Sequence, residues 1–286
     1  MKLRKNFLII IIISFFIVCI CLTLNRLLPS NHANKIDTIN VSDKLAKHDK
    51  IIIEENVNKS SSVFLVKNNK IPILMYHSII YEKGNILRVS KENFRKQMKY
   101  LKDNNYTTLT LDELYNYMIT GKLLPKKPII ITLDDGYADN YTNAYPVLKE
   151  LKLKATVFVI TNTIDSEKNF LTSKQIKTMD SNNIRIESHT ASHEHLTKIS
   201  YKDNLKTMIS SKSKLEKLLN RKINYIAYPY GEYNENTIKA ARESGYKLAF
   251  STEYGFIDKN DNIYSLGRIF VNSNFTFQQF KAKLNP

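Results

Sequence analysis

The stretch "PIIITLDDGYADN", residues 128–140, holds the key to this 286-residue chain. After Pro128, Ile129, Ile130 and Ile131 form a short β-branched run, the pattern of a buried strand. The run stops on Asp134, Asp135 and Gly136. Two neighbouring carboxylates at the end of an apolar strand repel each other and resist burial. Either the triplet is a plain Asp-Gly turn, or something nearby compensates the charge.

Working outward, strands and helices alternate. "IPILMYH" at 71–77 reads as a strand. "SKENFRKQMKYLKDNN" follows as a helix, with Ser90 as N-cap and Phe94, Met98 and Leu101 on one face. "YTTLTL" is strand-like, and "TLDELYNYMITG" carries a capping box, Thr110 with Glu113, ending on Gly121. Beyond Asp134 the pattern predicts a helix over 138–151, a strand over 155–160, a helix from about 172 and a strand in "IRIESH". A helix over 201–220, a strand in "NYIAYP", a helix over 234–244, a strand in "KLAFS", a strand near 266–271 and a helix over 276–284 complete the series. Such alternation predicts an α/β fold with a parallel sheet and helices outside. About seven units in roughly 215 residues predict a barrel closing on itself.

Functional groups of parallel α/β folds gather at the C-terminal ends of the strands. Three stretches sit there: Asp134-Asp135-Gly136, "ESHTASHEHL" at 187–196 and "AYPYGEYN" at 227–234. His189 and His193 are four residues apart, so one helical turn would bring both imidazoles to one side. Alone, such a pair is more often a surface or core feature. With one carboxylate it can hold Zn²⁺ and leave a position open. Asp135 can supply that carboxylate, leaving Asp134 to take a proton from water. A cation between them lowers the cost of keeping both charges.

The N-terminus bounds the location. "FLIIIIISFFIVCICLTL", residues 7–24, carries no charge and follows Lys2, Arg4 and Lys5. That is about the shortest run that spans a bilayer, and the basic flank keeps its start in the cytoplasm. Residues 1–28 are therefore expected to form the cytoplasmic end and a transmembrane signal anchor. The rest is expected outside the cell membrane, single-pass, or secreted if the segment is cleaved. Cys19 would suit a lipoprotein only with a small residue before it, and Val18 stands there. Both cysteines, Cys19 and Cys21, lie in this segment, so the exported part has no thiol chemistry. Residues 29–69, polar and rich in Asn, Lys and Ser, read as a stalk, with "IIIEENV" and "SVFLV" as short strand candidates. Residues 70–286 form the expected catalytic domain. The net charge of +16 favours anionic surroundings. An exported domain meets cell-wall polymers or lipid headgroups, not genomic nucleic acid.

"TLDDG", "HTASH" and "AYPYG" resemble the first three motifs of the polysaccharide deacetylase family, the NodB-homology or carbohydrate esterase 4 domain. "ILMYHSI" at 73–79 resembles the branch that acts on poly-β-1,6-N-acetylglucosamine. The resemblance covers about residues 70–275. It implies a distorted (β/α)7 barrel, a divalent metal (Zn²⁺ first, with Co²⁺, Ni²⁺ or Mn²⁺ as alternatives) and hydrolysis of N-acetyl groups on an N-acetylated glycan. Carried over by residue, it implies Asp134 as general base and Asp135, His189 and His193 as metal ligands. It also implies a backbone N–H at Tyr230 for the oxyanion, aimed by a turn that Pro229 and Gly231 fix. Tyr137, Tyr230 and Tyr233 are candidates to line the sugar groove, or simply to pack.

The sequence departs from the family pattern twice. Ala227 stands where an Arg usually holds the catalytic Asp. Arg268, in "LGRIF", either reaches the same carboxylate or makes a surface ion pair. No His follows His195, so the usual late general-acid His is missing. His32 and His48 fall in the stalk, which leaves His77, at the end of the first strand, as the candidate acid; His195 is the weaker one. These departures keep a catalytically weak glycan-binding protein in view. Peptidoglycan amino sugars are the alternative substrate to poly-N-acetylglucosamine, because a short stalk keeps the domain near the wall.

Overall fold

The computed structural model describes residues 70–285. The expected anchor at 1–28 and stalk at 29–69, with its two strand candidates, lie outside the described residues. Among the described residues no helix is long and apolar enough to cross a membrane.

Nine strands form one curled sheet. In chain order they are β1 (Ile71–Tyr76), β2 (Thr107–Thr108), β3 (Pro128–Leu133), β4 (Ala155–Val159), β5 (Ile184–Ser188), β6 (Tyr225–Ala227), β7 (Leu248–Phe250), β8 (Phe256–Ile257) and β9 (Ile269–Phe270). Among the described residues seven α-helices accompany them: α1 (Lys91–Asp103), α2 (Leu111–Thr120), α3 (Tyr145–Leu151), α4 (Ser173–Asp180), α5 (Tyr201–Leu219), α6 (Glu235–Glu243) and α7 (Phe277–Ala282). The backbone of the sheet runs β7-β6-β5-β4-β3-β1 and is parallel throughout. β8 pairs antiparallel with β1, and β9 pairs parallel with β1. On the far side Phe250 of β7 makes a single parallel bridge to Leu266, three residues before β9.

The strands alternate between two apolar clusters, as the period of two requires. Ile129, Ile131 and Leu133 of β3 join Leu74 and Tyr76 of β1 in the cluster shared with the outer helices. Ile130 joins Ile71, Ile73, Phe158, Ala227 and Phe250 in a second cluster, floored by Leu111, Leu114 and Met118 of α2. Near the sheet's C-terminal end the same inward positions turn polar.

Local signals shape the helices. Ser90 accepts from Asn93 N–H at 3.2 Å to start α1. Thr110 and Glu113 close the capping box of α2, and Gly121 ends it at φ 71°. "YTTLTL" yields only the two residues of β2, because Thr110 is spent on that cap. The helix expected over 138–151 is continuous but not regular. Pro146 has no N–H for the carbonyl four residues back and crowds it. The chain widens into a π-helical stretch over Asn140–Ala144, and the regular α3 begins at Tyr145. β8 was not legible: two residues carry no period.

Candidate active site

The parallel register lines up the strand ends. Tyr76 of β1 pairs with Leu133 of β3, so His77 and Asp134 come next on adjacent strands. Asp134 N–H donates to the Tyr76 carbonyl at 2.9 Å. His189 N–H likewise donates to the Val159 carbonyl at 3.0 Å, just past β5. The third stretch leaves β6 as a short turn over Pro229–Gly231.

Asp134 is 2% exposed and its partner Arg268 is fully buried. Arg268 Nη1 donates to Asp134 Oδ1 at 2.8 Å and Nη2 to Oδ2 at 2.6 Å, a bidentate pair. Its Nε donates to the Ser251 carbonyl at 3.0 Å, and Nη1 also reaches Thr132 Oγ1 at 3.1 Å. A surface ion pair is thereby ruled out for Arg268. Ala227, where the family pattern has Arg, is buried, and its carbonyl faces His189. Burial raises the pKa of Asp134, but the charge and hydrogen bonds of Arg268 outweigh it and hold the carboxyl below its ordinary value.

Asp135 sits in the left-handed region at φ 73°, followed by Gly136 at φ 79°. A non-glycine residue is strained there, and such strain clusters at functional sites. The bend turns the Asp135 carboxylate toward the His189–His193 loop. Asp135 Oδ1 lies 3.2 Å from His189 Nε2 and 3.4 Å from His193 Nε2. The loop is not the helical turn that the spacing suggests. Thr190 and His193 both adopt positive φ, 64° and 58°, and this backbone brings the imidazoles together.

These groups fit a cation. One ligand atom from each of Asp135, His189 and His193 lies within 4.8 Å of the others. His189 Nδ1 is 2.8 Å from the Ala227 carbonyl, which can only accept. The neutral ring therefore carries its proton on Nδ1 and turns the Nε2 lone pair toward Asp135. Asp135 Oδ1 is buried and makes no hydrogen bond. Acceptors facing one another around an orphaned carboxylate oxygen are what a divalent metal would satisfy. Burial raises the Asp135 pKa, but with no cation between these groups imidazolium donation from His189 and His193 would take its place, outweigh burial and hold the carboxyl well below the usual range.

A cleft of about 410 Å³ opens above these residues, lined by His77, Asp134, Asp135, His189, His193 and Tyr230 with apolar walls from Met75, Leu87 and Phe270. The His77 ring meets Phe270 edge-on at 5.8 Å, and its Nδ1 is buried without a partner. Burial lowers the His77 pKa, against the pull of Asp134 and Asp135. Tyr230 is half-exposed, with left-handed backbone at φ 59°. Its ring stacks on His195 at 4.0 Å and meets His193 at 4.4 Å. Pro229 is buried, and a Cβ on Gly231 (φ 72°) would lie 2.1 Å from Thr252 Oγ1. Only glycine fits this turn.

The three tyrosines separate. Tyr230 lines the cleft, and Tyr137 lines a neighbouring cavity beside Asp135 and His193. Burial and the Asp135 carboxylate push the Tyr137 hydroxyl up to about 12. Tyr233 instead donates to Glu253 at 2.9 Å and tilts against Tyr228. It does not line the cleft, and its contacts are those of a packed side chain. His195 is held by Glu232, Nδ1 to Oε2 at 3.1 Å, behind Tyr230.

Two supporting residues escaped sequence reasoning. Asn140 donates to the His77 carbonyl at 2.8 Å, and Asp139 accepts from Ser78 Oγ and Ile79 N–H, both at 2.7 Å. The polar run "YADN" after the glycine was the available signal.

The sequence profile of the polysaccharide deacetylase family matches residues 121–249. A Bacillus subtilis chain, YxkH, whose name carries a provisional assignment as a polysaccharide deacetylase, is 41% identical over 216 residues, 76% of each chain. A Staphylococcus aureus poly-beta-1,6-N-acetyl-D-glucosamine N-deacetylase is 34% identical over 197 residues, covering 64% of this chain and 67% of that one. Among solved structures, the Streptococcus pyogenes deacetylase PplD in complex with acetate superposes with a TM-score of 0.73 at 34% identity, over 77% of this chain and all of that one.

Proposed function

This chain belongs to the polysaccharide deacetylase family, and from that premise we propose that it removes N-acetyl groups from poly-N-acetylglucosamine outside the cell in a metal-dependent hydrolysis. The observation that carries the reading is the division of labour between adjacent carboxylates. Asp134 is gripped by Arg268, while Asp135 faces the two imidazoles across a gap that suits a cation. Binding alone needs no ionised base beside a cation site, which disfavours a glycan-binding protein. The substrate follows the Staphylococcus aureus relative. The six parallel strands β7-β6-β5-β4-β3-β1, with β9 as a seventh beside β1 and the Leu266 bridge to β7, support the distorted (β/α)7 barrel of the NodB type.

Asp135, His189 and His193 would hold the metal, Zn²⁺ in first place for its carboxylate and imidazole set. When bound it supplies Lewis acidity toward an acyl carbonyl and a lowered pKa for water. Asp134 is ionised at neutral pH and oriented by Arg268, which leaves lone pairs on both oxygens to accept a proton from the attacking water. The Tyr230 N–H is the donor for the oxyanion, set by the Pro229–Gly231 turn. As the C–N bond breaks and acetate forms, His77 passes a proton to the leaving amine. That proton is the one Asp134 takes from the attacking water, handed on through His77, whose pKa burial lowers.

The full chain is anchored in the cell membrane by residues 7–24, with its positive charge toward anionic wall polymers. Peptidoglycan amino sugars remain the second substrate reading, favoured by the stalk's position near the wall. Acetate release from β-1,6-linked N-acetylglucosamine oligomers and from peptidoglycan fragments, with Zn²⁺ and with chelator, tests both. Release from neither, with Zn²⁺ bound, would overturn the catalytic reading.

A further inference from the structure

A second cavity, of about 360 Å³, shares Asp135 and His193 with the cleft and opens on their other side. Its wall is built, not accidental. Tyr137 and Phe170 stack at 5.1 Å and 22°. Ala138 N–H donates to the Asn169 carbonyl at 2.8 Å, and Leu171 N–H to the Gly136 carbonyl at 2.9 Å, which fastens the loop after β4 to the strand end carrying the carboxylates. Asn162 donates to Ser192 Oγ at 2.7 Å, which ties the same loop to the histidine segment. These bonds tie the cavity wall to the segments that carry the three candidate metal ligands.

Its chemistry is selective. The chain has a net charge of +16, yet no lysine or arginine lines this cavity. Its acidic groups are Asp135, one of the three candidate metal ligands, and Glu167. Glu167 is exposed at the rim and takes part in none of the ion pairs among the described residues. An aromatic pair, an amide, a hydroxyl and an unpaired carboxylate are the partners of an amino sugar. A polymer threaded past the metal ligands would place its next unit here. Deacetylation turns a neutral unit into a cationic one.

We propose that this cavity seats the sugar unit adjacent to the one being hydrolysed, and that Glu167 selects a neighbour carrying a free, protonated amine. The proposal rests on the deacetylase reading above. It makes the enzyme extend blocks of processed units along a chain rather than act at scattered positions.

The test uses the full-length chain in detergent, loaded with Zn²⁺, and two β-1,6-linked pentamers. One is fully acetylated; the other carries one free amine beside an acetylated unit. The wild type is expected to show the lower KM on the second. Glu167→Gln should raise that KM about fivefold, the scale of one partly solvated ion pair. It should leave kcat and the KM of the acetylated pentamer unchanged, and 0.5 M salt should erase the wild-type preference. Phe170→Ala should raise KM for both. Equal KM values in the wild type, or no effect of Glu167→Gln, would overturn the proposal. If neither pentamer releases acetate, the deacetylase reading fails instead. Calorimetric binding of a glucosamine tetramer then decides the subsite: weaker binding to Glu167→Gln supports it, and equal binding overturns it.

Discussion

Arg268 and Asp134 show how one contact can serve stability and chemistry together. Both are buried, so removing either partner leaves an uncompensated charge. Arg268→Met should destabilise the fold by about 3–5 kcal/mol, whereas adding Asp134→Asn should recover much of that loss. Urea denaturation of the single and double variants checks this; additive losses would contradict it. The pH dependence follows from the lowered carboxyl pKa. The stability that Asp134 gains from the pair is full above its unfolded value, about 3.9, and is lost as pH falls toward the folded value. That acid slope should flatten in the double variant. His77 is tested differently. His77→Ala should lower kcat and change the pH–rate profile, and an unchanged profile and rate would remove His77 from the reaction. Asp134, Asp135, His189 and His193 were legible because each lies within a short motif. The Arg268 contact was only half legible: sequence offered it as one of two readings, because Ala227 leaves the carboxylate without its usual partner, and could not decide between them across 134 positions.

At the scale of elements, the site is made by how strands end rather than by the strands themselves. Apolar runs and caps marked β1, β3, α1 and α2, because period and capping chemistry are local. The turns were less legible, because they depend on backbone that side-chain period does not report. The His189–His193 spacing suggested a helical turn, but left-handed residues at Thr190 and His193 bring the rings together instead. The wide turn before α3 pins the His77 carbonyl through Asn140, a purpose invisible until the strands are adjacent. Gly231→Ala should clash with Thr252, displace the Tyr230 amide and cut kcat at least tenfold, measured by acetate release; an unchanged kcat would dismiss the turn from oxyanion binding. Thr110→Ala, at the other end of the sheet, is the contrasting case. It removes the α2 cap, should cost about 1 kcal/mol by denaturation, and should leave kcat/KM intact.

For the whole molecule, the curled parallel sheet gathers chemistry from stretches nearly two hundred residues apart onto one rim. The floor under α2 is apolar, the rim is polar, and this division was foreseeable from strand–helix alternation alone. The strand expected near 266–271 is present, but reduced to the two residues of β9 and a single bridge at Leu266, a shortening that so few residues could not signal. Deleting residues 1–28 should move the protein from the membrane fraction to the soluble one, as fractionation would report. The most direct measurement is acetate release from β-1,6-linked N-acetylglucosamine oligomers by the metal-loaded full-length chain, beside chelator-treated protein and Asp134→Asn. Release abolished by chelator and restored by Zn²⁺, and lost in Asp134→Asn with Zn²⁺ still bound, is the predicted result. Release that persists in chelator, or in Asp134→Asn at the wild-type rate, would contradict a metal-dependent deacetylase with Asp134 as its base.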